Sequence, residues 1–119
     1  MSANDRKLIE LAAKAAGISV KYNTHWSGFE RQDMADEFGR GVVWNPLSDD
    51  GDAFRLAVAL ELNVFHAAGN AYALLSDFDF EAEVEEIVSY RDAGGVNNAT
   101  RRAIVRAAAA IGEQLEGNV

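Results

Sequence analysis

The sequence predicts an α/β protein of the α+β type, a helix–sheet–helix sandwich in which a mostly antiparallel sheet of about four to five strands is covered by three helices. Apolar residues recur at helical spacing in three separated stretches, and they alternate with polar residues in the segments between. The order is helix, strands, helix, strands, helix, so no βαβαβ repeat is present and a parallel doubly wound sheet is not indicated. At 119 residues the chain is sized for one domain, residues 1–119, with one core.

The first helix is predicted over about Asn4 to Ala16, where Leu8, Ile9, Leu11, Ala12, Ala15 and Ala16 make a broad apolar face and Gly17 takes the C-terminal cap. Ile18, Val20 and Tyr22 alternate with Ser19 and Lys21 as a short strand. Asn23 to Gly41 reads as strand and loop, with Trp26, Phe29 and Phe38 set among the breakers Gly28, Gly39 and Gly41. Val42 to Trp44 is a brief strand closed by Asn45 and by Pro46, the only proline.

A second helix is predicted to begin near Asp49, because Ser48 or Asp49 can cap it and an acidic first turn suits the positive end of the helix dipole. Leu62, Val64 and His66 alternate with Asn63 and Phe65, and with a Gly69-Asn70 turn and the apolar Tyr72 to Leu75 they suggest a hairpin. From Phe78 to Tyr90 the even positions are mostly apolar and the odd ones mostly acidic, which favours one or two strands; a helix through Phe80, Val84, Ile87 and Val88 is the alternative. Asp92 to Asn98 reads as a loop that caps a last helix, roughly Ala99 to Glu116, with Ile104, Ala107, Ala108, Ile111 and Leu115 as a narrow apolar stripe.

Composition limits the chemistry. With no cysteine, disulfides, thiol nucleophiles and thiolate metal sites are excluded, in keeping with a reducing compartment. The charged segment from Met1 to Ala16 has no signal-peptide core, and no apolar run approaches the ~20 residues a bilayer requires. The expected location is the cytoplasm. A net charge of −8 opposes direct nucleic-acid or membrane binding and favours a partner with a basic surface. Much of the acidity falls in residues 77–92, where Asp77, Asp79, Glu81, Glu83, Glu85, Glu86 and Asp92 are set against Arg91 alone. The segment is either a solubilising face or a recognition surface.

No catalytic motif stands out. His25 and His66 lack the spacing of a metal site, and no metal or cofactor is expected. Asp49-Asp50-Gly51-Asp52 resembles the start of a calcium loop, yet position 57, where a closing glutamate is needed, is Ala57; helix capping is the simpler account. No serine lies in a GxSxG elbow and no phosphate-binding glycine loop occurs. Arg101 and Arg102 open the last helix and Arg106 follows one turn on; they are expected to pair with the acid between Asp77 and Glu86, or else to form an anion site. A pocket would draw on His25, Trp26, Trp44, Tyr72 and Arg102.

Three stretches together carry a resemblance: Leu8 to Gly17 (LIELAAKAAG), Trp44 to Ala53 (WNPLSDDGDA) and Ala99 to Ala108 (ATRRAIVRAA). In order and spacing the chain resembles the phage ABA-sandwich domain family, short proteins of tailed phages and prophages of proteobacteria. The resemblance implies a helix–sheet–helix sandwich in a small accessory protein of the bacterial host's cytoplasm, with no catalytic residues to carry over. The function expected is therefore a non-enzymatic module that binds an unidentified host or phage protein, with self-association left open. One alternative is an anti-defence inhibitor whose acidic segment imitates nucleic acid. A small-molecule or nucleotide binder is the other.

Overall fold

The computed structural model describes residues 1–34, 37, 41–76 and 82–117. Helix α1, Ala3–Ala16, starts where the Ser2 hydroxyl accepts the Asp5 amide at 3.1 Å. It stops where Gly17 turns left-handed, φ 69°, and returns its N–H to the carbonyls of Ala13 and Lys14. Strands β1 (Val20–Asn23), β2 (Gly28–Arg31) and β3 (Val42–Trp44) then form an antiparallel sheet in that order. Its register pairs Tyr22 with Phe29, edge to face at 5.1 Å, and Phe29 with Trp44; Phe29 and Trp44 are buried. Arg6 lies 3.8 Å above the Tyr22 ring, a cation–π contact between α1 and this sheet. Just past β2, Arg31 bonds Asp33 at 2.6 and 3.0 Å; that bond holds the Asp33 carboxyl below its ordinary range and raises the guanidinium.

Helix α2, Asp50–Ala59, is capped by Asp49, whose carboxylate accepts the Asp52 amide at 2.8 Å. The hairpin of β4 (Asn63–Ala67) and β5 (Asn70–Ser76), extended by β6 (Ala82–Ser89), makes a second antiparallel sheet ordered β4-β5-β6. A single turn of helix, α3 (Tyr90–Ala93), leads to α4, Val96–Gly117.

Helix α4 is the element on which the others pack: it meets α1, α2, β5 and β6. Ala99, Ala103, Val105, Ala107 and Ala108 on it are fully enclosed. Side chains this short let neighbouring backbones come close, and at Gly112 the approach is closest, since a Cβ there would overlap the Leu11 carbonyl of α1.

The α+β class and the antiparallel pairing are as expected, but the arrangement is finer than the sequence reading. Among the described residues there are two three-stranded sheets instead of one of four to five strands, and four helices instead of three. Alternation marks a strand with one buried face without naming its neighbour, and the α2 segment carries the chain from one sheet to the other. The expected Asp92 to Asn98 loop contains the end of α3 and the first turn of α4, separated by Gly94 and Gly95 at φ 82° and 134°. The hairpin turn is Ala68-Gly69, both at positive φ (51° and 80°) as a two-residue turn of this hand requires; Asn70 already belongs to β5. The apolar stripe of α4 is broad, and Leu115 is exposed. Residues 82–89 are strand, whereas Asp77, Asp79 and Glu81 lie outside the described residues.

Gly112→Ala is expected to destabilise the fold by about 1–3 kcal/mol in urea titration, through overpacking against Leu11. Gly117→Ala, with open space around it, is expected to show no such loss. Asp52 is buried and accepts the Asn45 amide at 2.9 Å, so Asp52→Ala is expected to cost about 1–3 kcal/mol by the same measurement, and Asp52→Asn, which keeps an acceptor, less.

Candidate functional site

A groove of about 510 Å³ runs between α2, the start of α4 and the edge of β4. Its floor is small and apolar: Ala53, Ala57 and Ile104. Around it stand three large apolar side chains that the fold leaves in water, Phe54 (67% exposed) and Val58 (59%) one turn apart on α2, and Val96 (48%) on α4. Scattered exposed apolar residues are ordinary, but these line one concavity together.

Polar groups at one end of the groove are held by the protein itself. The Arg101 side chain, only 13% exposed, donates Nε to the Leu47 carbonyl at 2.9 Å and its terminal nitrogens to Asp50 and Asn98. Across from it, His66 Nε2 lies 2.7 Å from Thr100 Oγ1, which is also 2.7 Å from the Val96 carbonyl. The hydroxyl has one proton, and giving it to Val96 makes His66 the donor in the other bond. In that arrangement His66 ties β4 to the first turn of α4 and does not act as a base on Thr100. The acidic cluster is used in the same way: Asp49 caps α2, Asp50 pairs with Arg101, and Asp52 accepts the Asn45 amide and the Arg55 guanidinium. Each carboxylate already has a protein partner.

The residues expected to share a pocket are dispersed. Trp44 is in the core at 3% exposure, and Trp26 (43% exposed) and His25 sit on the β1–β2 turn, where the Trp26 ring covers Gly28. Tyr72 lies on the other sheet, stacked on Phe65 at 4.6 Å. The three arginines also diverge, because successive helix positions are rotated by about 100°. Arg101 reaches α2, Arg102 bonds Asp5 of α1 at 3.0 and 3.4 Å, and Arg106 meets Glu86 of β6 at 3.3 Å. Among the described residues, only Arg106 pairs with the acidic segment as expected. Within that segment Glu83, Glu85 and Asp92 are exposed, and Glu86 is half-buried.

Phe54, Val58 and Val96 were not singled out by sequence reasoning. The available signal was an excess: Ala53, Phe54, Leu56, Ala57 and Val58 put more apolar surface on a ten-residue helix than one buried face requires. Among the described residues no group of three or more His, Asp or Glu is placed to hold a metal ion, and no helix is long and apolar enough to cross a membrane. Comparison with protein-family models, with curated proteins and with solved structures gave no match.

Arg101→Ala is expected to lower stability by about 1–3 kcal/mol, because it strips a half-buried carbonyl and a charge of their partner. Arg106→Ala, at an exposed pair, is expected to cost no more than about 1 kcal/mol; paired chemical-denaturation curves make the comparison.

Proposed function

We propose that this chain is a non-enzymatic accessory protein, of the phage or prophage kind that its three stretches resemble, and that it works by protein–protein contact at the α2–α4–β4 groove. The observation that carries the reading is the exposure of Phe54, Val58 and Val96 around one concavity in a chain of net charge −8. Covering each of these side chains is worth roughly 1 kcal/mol or more, which is how a small patch supplies binding energy. The polar groups beside the patch are spent on internal bonds, so the groove offers an apolar seat more than a set of free ligands or a reaction centre. Glu61, exposed at the rim, disfavours an acidic residue on the part of an occupant that reaches it.

The test is recovery of bound protein from infected or lysogenic cells with tagged wild type, Phe54→Glu/Val58→Glu and Glu83→Gln/Glu85→Gln, each checked for fold by circular dichroism. A stoichiometric partner, an untagged copy of the chain included, is expected with the wild type, lost with the first variant and kept with the second. The reverse pattern, with strong salt sensitivity, would place recognition on the acidic segment and favour the anti-defence alternative. Equal recovery by all three would sink the groove as the contact surface.

A further inference from the structure

Strand β4 is the outermost strand of its sheet, and four of its five residues are exposed. The two-residue turn fixes which of its backbone groups face β5: Ala67 and Asn70 close the hairpin as a hydrogen-bonded pair, so Phe65 and Asn63 also bond inward while Val64 and His66 point their N–H and C=O groups away. Those four groups have no backbone partner among the described residues. Natural edge strands are usually blunted by charge, proline or a bulge, and Asn63-Val64-Phe65-His66-Ala67 has none of these. The edge opens directly onto the groove, since Val64 and His66 line it.

Resting on the reading of the groove as a protein-contact surface, we propose that its occupant is the β4 strand of a second copy of this chain, added antiparallel to make a continuous six-stranded sheet. The pattern is self-complementary. With the two-fold axis at Phe65, Val64 of each copy faces His66 of the other, and the free groups of those residues form four main-chain hydrogen bonds. Phe65 meets Phe65 of the second copy as a close cross-strand pair on the outer face, where each ring is already stacked on Tyr72. On the inner face, Val64 and His66 of the second copy enter the groove beneath Phe54 and Val58. Charge permits this placement where it resists most others: two acidic molecules repel, but the paired strands carry no charge. Glu61, the nearest acid in sequence, lies in the turn before β4, so the two copies of it fall at opposite ends of the ladder.

Because the chain lacks cysteine, a single introduced thiol reports the axis without interference. Light scattering coupled to size exclusion is expected to give twice 12.9 kDa for the wild type and 12.9 kDa for Phe65→Lys, which sets two ammonium groups face to face. Phe65→Cys is expected to form a disulfide-linked dimer on mild oxidation, since its Cβ atoms fall near bonding range, whereas Ile87→Cys, equally exposed on β6, is not. Circular dichroism of each variant separates loss of pairing from loss of fold, and the cross-link stands even if Phe65→Lys misfolds. A wild type that stays monomeric at high concentration, or a dimer that cross-links at Ile87 and not at Phe65, overturns the proposal. A monomer whose partner capture still depends on Phe54 and Val58 overturns the second copy alone; a monomer that captures nothing overturns the groove reading as well.

Discussion

The structure is organised by how closely backbones can approach α4. Ala99, Ala103, Ala107 and Ala108 carry one methyl each and are fully enclosed, and Gly112 carries none where Leu11 of α1 passes. A larger side chain at any of these points would hold its neighbour away by the width of the added atoms, and interiors packed like organic crystals do not absorb that change cheaply. Among the buried side chains of α4 only Ile104 and Val105 are bulky, and the other elements bring Ile9, Phe29, Trp44, Leu56, Val84 and Val88 to the core.

Close packing also determines where the charges go. Arg101, Arg102 and Arg106 all leave α4, and the three elements nearest to them supply the partners Asp50, Asp5 and Glu86. These pairs are unequal. Arg101 is mostly shielded and also satisfies the Leu47 carbonyl, so it fixes the loop before α2 against α4, while the other two are more exposed and add little to stability. A cluster that resembles an anion site in one dimension becomes three separate struts in three.

The groove lies between α2, which packs on α4, and β4, the outer strand of a three-stranded sheet. The inner side of α2 buries Ala53, Leu56 and Ala57, whereas Phe54 and Val58 stand exposed at the groove. The outward groups of Val64 and His66 on β4 have no backbone partner among the described residues. An apolar helix face and an open ladder thus border one groove, which is why the proposed contact surface and the proposed means of occupying it coincide.

Much of the local structure was legible in the sequence. Gly17 ends α1, Asp49 caps α2, and the alternation around Val64 and Val84 marks strands, because caps, turns and periodicity act over a few residues. Lack of cysteine and the acidic balance were equally plain. What the sequence left open depends on contacts between distant segments: the separation into two sheets, the enclosure of Trp44, the partners of the three arginines, and the exposure of Phe54 and Val58. A phenylalanine on a helix with apolar residues on every side carries no mark saying whether a strand lies beneath it. Only the finished tertiary packing decides that, since burial belongs to the surface opposite and not to the residue itself.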